Sequence, residues 1–288
     1  MDKSRLLQIL QYNRKHQDDT FRVCQEFYHC LGKDNPVVIP EVQIFVEYVL
    51  ESNHTCFVHI PLKSKEIGAF HACINQVNYV VLNTAKSRAN NNFALMHELY
   101  HLLFQKDESQ YNYDVYLNNY SDDENEMAAN AFAASMLMPR EDFKKTAQIF
   151  LDRVVDIPTS HPYMPYHGVV YGLMRYFATT YMAVVIRCFE LKIFNECDDG
   201  LVEYLLDNND YKMQEDVFEH LSIETHIMKP SYEDDFEKKL YKKAEESGRK
   251  LVEQGLITEE DLIYRLKELR ATYERLKEGS DHGEDTRD

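Results

Sequence analysis

Two histidines and one acid stand close together in the segment 94–104, near the first third of the chain. Residues four apart share one face of a helix, so His97 and His101 can direct both imidazoles at a single ion. Glu98 lies beside that face. In this H-E-x-x-H arrangement the histidines bind zinc, and the glutamate accepts a proton from water. Apolar residues at helical spacing predict that the segment is a helix packed into a core: Phe93, Met96, Tyr100, Leu103 and Phe104.

A third ligand must come from another element, because a catalytic zinc usually takes three protein ligands and leaves one position open. The segment 124–139 begins with acids, is rich in alanine and ends at a proline, which predicts a second helix. Its alanines let two helices approach closely. Glu126 is the predicted third ligand and Glu124 the alternative, although both acids could serve only to stabilise the helix N-terminus. Asn130 follows Glu126 by one turn and could orient a histidine from behind.

Other polar residues are weaker candidates. His54, His59 and His71 lie in or beside strand-like runs, where an isolated histidine is more often a surface or core residue than a ligand. The segment 158–168 is rich in proline, histidine and tyrosine. A neutral imidazole or a tyrosine hydroxyl from this segment could stabilise a developing oxyanion.

Composition excludes several classes of protein. The 288 residues suffice for one large domain or two ordinary ones, and 49 acidic against 32 basic residues give a formal charge of −17. Such a surface repels phosphate, so we expect no direct nucleic-acid binding. The six cysteines form no C-x-x-C pair and are read as reduced thiols. A polar N-terminus and the absence of long apolar runs predict a cytoplasmic protein without a membrane segment.

Hydrophobic periodicity predicts an α+β fold that is mainly helical with a small antiparallel sheet. Two helices are expected within 3–31 and a third over 42–50, followed by strands at 56–60, 68–74 and 79–82. Residues 141–200 are read as mostly helical. Beyond Ser231 one or two long amphipathic helices are expected, with a helix start at 258–261 and a disordered end over 279–288.

Two motifs of this sequence, taken together, resemble those of a known protein family. The sequence His97-Glu-Leu-Tyr-His101 is followed, after a polar acidic loop, by Glu126-x-x-Ala-Asn130-x-Phe-Ala-Ala-x-x-Leu-Met-Pro139. This combination resembles the ImmA/IrrE family of zinc metallopeptidases. The similarity covers 57–140, and more loosely the helical segment to residue 194. The family has a glycine where this chain has Tyr100.

The resemblance implies a zincin-like (gluzincin) peptidase core and a definite assignment of roles. The zinc ligands would be His97, His101 and Glu126, and Glu98 would be the general base. The implied activity is cleavage of a helix-turn-helix transcriptional repressor, often encoded beside the peptidase on a phage or mobile element. A regulatory protein that keeps zinc but acts by binding alone is the alternative, and a zinc hydrolase for non-peptide substrates is another.

The chain is thereby divided into four predicted regions. They are an N-terminal helical region (1–54), the zinc metallopeptidase core (55–140), a helical module (141–230), and a charged helical extension with a disordered tail (231–288). One hypothesis for the charged extension is that it binds a partner protein. No oligomeric state is predicted.

Overall fold

The computed structural model describes residues 1–64, 67–74, 77–104, 124–154, 159–220 and 225–278. The acidic loop after the first motif and the tail predicted to be disordered lie outside the described residues. The chain forms two compact units, and neither is one continuous stretch. The helical unit takes in the described residues of Met1–Val49, Ser87–Ser109 and Tyr120–Lys229. The sheet unit takes in those of Leu50–Lys86 and Pro230–Asp288.

Helices make up the regular structure of the helical unit. In chain order they are α1 (Lys3–Lys15), α2 (Gln17–Cys30), α3 (Val42–Ser52, which enters the sheet unit after Val49), α4 (Arg88–Phe104), α5 (Glu124–Leu137), α6 (Arg140–Val154), α7 (Met164–Phe177), α8 (Tyr181–Glu190), α9 (Asp199–Asp207) and α10 (Tyr211–His220). The helices expected within 3–31, over 42–50 and around both motifs are confirmed.

Local chemistry explains where several of these helices begin. The Asp2 side chain accepts a hydrogen bond from the backbone N–H of Arg5 and so caps α1. Thr180 caps α8 and Asp198 caps α9 in the same way. At the other end of a helix, Pro139 follows α5 by two residues and cannot continue its hydrogen-bond ladder. Short polar side chains therefore set the starts, and proline sets this end.

The pair α4 and α5 lies at the centre of the helical unit. Ala129 and Ala133 are completely buried on one face of α5, which lets the two backbones approach closely. Phe132 is the large residue of this interface. Its ring lies 5.6 Å from that of Tyr100 on α4 and 6.0 Å from that of Phe27 on α2. Small residues thus bring the helices together, and one aromatic ring links them to α2.

The sheet unit contains three strands, β1 (Cys56–Ile60), β2 (Ala69–Ile74) and β3 (Val77–Asn83), in the order β1-β3-β2. The expected fold class, mainly helical with a small sheet, is confirmed. The sheet is mixed, however, and not antiparallel throughout, because β1 runs parallel to β3 while β2 is antiparallel to it. β2 and β3 are neighbours in the sequence, separated by two residues. Because β3 is the central strand and β2 pairs with one of its edges, β1 lies along the other edge.

Two helices complete the sheet unit, α11 (Lys242–Glu253) and α12 (Glu259–Glu278), preceded by a π-helical turn at Phe236–Tyr241. The rings of Phe236 and Tyr273 stack 3.8 Å apart in a core shared with β1 and β3. Thr258 and Asp261 exchange hydrogen bonds at the start of α12, as the sequence predicted. The expectation of amphipathic helices after Ser231 is therefore confirmed.

None of the helices in the described ranges is both long and apolar enough to cross a bilayer alone. Helices α7 and α8 taken together are long and apolar enough to span a bilayer, but the chain bends by 110° between them.

Candidate metal centre

Helices α4 and α5 bring the three predicted ligands together. His97 and His101 lie one turn apart on α4, and Glu126 lies in the first turn of α5. The Glu126 carboxylate reaches both imidazoles, with Oε2 3.2 Å from Nε2 of His97 and Oε1 3.2 Å from Nε2 of His101. The two Nε2 atoms are 3.0 Å apart. One ligand atom from each of the three residues lies within 4.8 Å of the others, so a single ion could be shared among them.

Burial and charge suit this cluster to a cation. The side chains of His97, His101 and Glu126 are 10%, 3% and 13% exposed. Burial raises the pKa of Glu126, but its close contacts with the imidazoles of His101 and His97 outweigh burial and lower that pKa to about 2. The carboxylate is therefore ionised at neutral pH and supplies a negative ligand between two imidazoles.

The donor set fits a divalent transition metal. Two imidazole nitrogens and one carboxylate oxygen are the protein ligands of many catalytic zinc sites. Magnesium and calcium prefer oxygen-only sites, so the pair of nitrogens disfavours them. The residues present therefore match the group that the H-E-x-x-H spacing predicts.

Asn130 contacts the ring nitrogen of His97 that faces away from the other two candidate ligands. Its Oδ1 lies 3.0 Å from Nδ1 of His97. An amide oxygen can only accept, so this contact places the ring proton on Nδ1 and leaves the Nε2 lone pair for a ligand bond. The structure thus puts Asn130 in the orienting position that the sequence suggested.

Glu98 follows His97 on α4 and is only 2% exposed. A carboxylate this deeply buried is uncommon, and its place in sequence keeps it beside the ligand pair. Glu124, the alternative third ligand, is an exposed residue at the start of α5. Within the part of the chain that the structure describes, the ligand group contains Glu126 and not Glu124.

The weaker histidine candidates have other surroundings. His59 belongs to the sheet unit, where its Nδ1 lies 2.7 Å from Oδ2 of Asp235. His71 lies 3.2 Å from the Asn78 side chain through its Nε2, and His54 occupies a left-handed turn position with a φ of 57°. Among the described residues, none of the three is part of the ligand group.

The proline- and tyrosine-rich segment packs against α9. Residues 155–158 lie outside the described residues, but the ring of His161 stacks 4.5 Å from that of Tyr204. The Tyr163 hydroxyl donates to Asp198 at 2.8 Å. His167 is buried beside Tyr171. These side chains therefore pack the α7–α9 region together.

Together these features define a class of protein: an α+β fold in which a helix carrying H-E-x-x-H and a glutamate from a second helix form a single-metal site of the metallopeptidase type. Residues 53–189 match the Peptidase_M78 family, described as the IrrE N-terminal-like domain. The resemblance to ImmA/IrrE proteins is confirmed. No curated protein matches the chain.

Proposed function

We propose that the chain is a zinc-dependent endopeptidase that hydrolyses a peptide bond in a protein partner. The match of residues 53–189 to the Peptidase_M78 family supports a metallopeptidase-like function in general. The observation that carries the finer proposal is the convergence of His97, His101 and Glu126, whose ligand atoms lie within 4.8 Å of one another. Two nitrogens and one oxygen favour zinc among the common divalent ions.

Each residue of the site has a role in this chemistry. His97, His101 and Glu126 would hold the ion, and Asn130 would fix the ring of His97. When bound, zinc lowers the pKa of a coordinated water toward about 7 and polarises the scissile carbonyl. Glu98 would accept the proton of the attacking water and deliver it to the departing amine.

The proposed substrate is a helix-turn-helix transcriptional repressor encoded beside this chain on a phage or mobile element, and the proposed location is the cytoplasm. The family resemblance supports this substrate. Charge supports it as well, since a repressor needs a basic surface to bind DNA and this chain carries a formal charge of −17. Cleavage of the repressor would release the genes that it silences.

The test combines the zinc-loaded chain with the repressor encoded next to it and identifies new fragments by mass spectrometry. We expect one or a few defined cuts with the wild-type chain, and none with a chelator or with the Glu98→Gln variant. A stable complex without fragments contradicts the proposal and favours a regulator that acts by binding alone. Metal-dependent turnover of small esters or amides, with the repressor intact, identifies a non-peptide hydrolase instead.

A further inference from the structure

Helix α5 is held at its first turn by a residue of α1. The hydroxyl of Tyr12 donates a hydrogen bond to the backbone carbonyl of Glu124 at 3.0 Å. Glu124 stands two residues before Glu126, in the same turn of α5. A side chain from the start of the sequence, before the family-matching segment 53–189, therefore contacts the turn that carries the third ligand.

The other end of α5 is held from α8. Arg187, which is 5% exposed, donates from Nη2 to the carbonyl of Met138 at 3.1 Å, just beyond the last turn of α5. Its Nη1 donates to Glu190 Oε1 at 2.6 Å. The second oxygen of Glu190 accepts from the side chain of Asn13 at 3.3 Å. The relay Asn13–Glu190–Arg187 thus connects α1 to the C-terminal end of α5.

These contacts matter because, apart from Phe132, small residues form much of the face that α5 presents to α4. Alanines such as Ala129 and Ala133 allow close approach but offer few ridges to stop one helix sliding along the other. His97 and His101 come from α4 and only Glu126 comes from α5, so any slip of α5 separates the carboxylate from both imidazoles. A metal site tolerates errors of only about 0.2 Å in its ligand distances.

We propose that Tyr12 and the relay Asn13–Glu190–Arg187 are positioning residues that fix α5, and through it Glu126, relative to the two histidines. The inference rests on the proposed metal site and extends it. It makes α1 part of the scaffold of the metal centre, although α1 lies outside the family-matching segment. None of the four side chains belongs to the ligand group found among the described residues.

The experiment measures zinc affinity by competition with a chromophoric chelator, together with thermal stability, for the full chain and three variants. Tyr12→Phe removes only the hydroxyl, and Arg187→Lys keeps the charge beside Glu190 but loses the planar fork. Tyr181→Phe is the matched control, because its buried hydroxyl donates to the Leu205 carbonyl at the same 3.0 Å and neither residue belongs to α5.

Direct partners of ligating histidines typically change metal affinity by about 10- to 100-fold. Tyr12 and Arg187 act one step further away, so we expect zinc binding roughly three- to ten-fold weaker in Tyr12→Phe and Arg187→Lys. Tyr181→Phe should lower the melting temperature more than Tyr12→Phe, because it loses a buried bond, yet should bind zinc within about two-fold of wild type. Amide exchange at the first turn of α5 should become faster in Tyr12→Phe.

A wild-type zinc affinity in Tyr12→Phe overturns the positioning role, and so does an equal loss in the Tyr181→Phe control. If Arg187→Lys fails to fold, the comparison of Tyr12→Phe with Tyr181→Phe still decides. Failure of the wild-type chain to bind zinc is a different result, because it overturns the proposed function as well. Tight wild-type binding with unaffected variants removes the positioning role alone.

Discussion

The buried imidazole of His167 should make the folded state sensitive to acid. The side chain is 6% exposed, and its Nε2 has no hydrogen-bond partner within the described part of the chain. The rings around it, those of Tyr171 on α7, Tyr181 on α8 and Tyr204 on α9, are all neutral. Burial in this environment lowers the pKa of His167 from its ordinary 6.5 to about 4.

The sign and size of the effect follow from this shift. The folded chain holds the ring neutral, whereas the unfolded chain takes up a proton below about pH 6.5, so acid favours the unfolded state. With these two pKa values, His167 contributes a loss in unfolding free energy of about 2 kcal/mol at pH 5 and about 3 kcal/mol at pH 4. Above pH 7 the contribution is constant.

Urea unfolding at pH 7.5, 6, 5 and 4 measures this loss when the wild-type chain is compared with His167→Leu. The variant cannot titrate at this position, so the unfolding free energy of the wild type should fall relative to that of His167→Leu by about 2 kcal/mol at pH 5 and about 3 kcal/mol at pH 4. His161→Gln is the control, because it removes an exposed histidine of the same segment. Parallel profiles for wild type and His167→Leu from pH 7.5 to 4 would refute the reasoning.

Three further predictions concern the site and the packing of the sheet unit. Glu98→Gln should keep zinc bound but lower cleavage by about 10²- to 10⁴-fold, the usual contribution of a general base, and unchanged cleavage removes Glu98 from the mechanism. Asn130→Ala should weaken zinc binding by roughly 10- to 100-fold. Asn130→Asp keeps the hydrogen-bond acceptor and should therefore bind zinc more tightly than Asn130→Ala. Equal zinc affinities of the two variants would count against the orienting role of Asn130. A methyl group at Gly248 would lie 2.1 Å from Cδ1 of Leu262 on α12. Overpacking of about 1–3 kcal/mol less the helix-propensity gain of about 1 kcal/mol leaves an expected loss of up to about 2 kcal/mol in the unfolding free energy of Gly248→Ala. At Gly168 an added methyl group would make only an ordinary contact with Val154, at 4.0 Å. A loss of unfolding free energy in Gly168→Ala as large as that in Gly248→Ala would contradict the steric explanation.

The proximity of the three candidate ligands could be predicted from the sequence because the geometry of the site is mostly local. A spacing of four residues places His97 and His101 on one face of α4 whatever the rest of the chain does. Glu126 could be proposed because it opens the next alanine-rich helix. Asn130 followed from the same helical spacing.

The contacts between distant segments could not be predicted in this way. Tyr12 and Glu124 are 112 residues apart, and no periodic pattern links a tyrosine of one helix to a carbonyl of another. The parallel pairing of β1 with β3 could not be predicted for the same reason, because an apolar run indicates a strand but not which strands it pairs with. Arg187 reads as one basic residue in an apolar helix, and only the fold shows that it binds the carbonyl of Met138.

Zinc stoichiometry of Glu126→Ala tests the central claim most directly, with Glu124→Ala as the matched control from the same turn of α5. Metal analysis after dialysis at neutral pH should find about one zinc per wild-type chain. It should find the same in Glu124→Ala, and little or none in Glu126→Ala. A full complement of zinc in Glu126→Ala, held as tightly as in the wild type, would contradict a metal centre built from His97, His101 and Glu126.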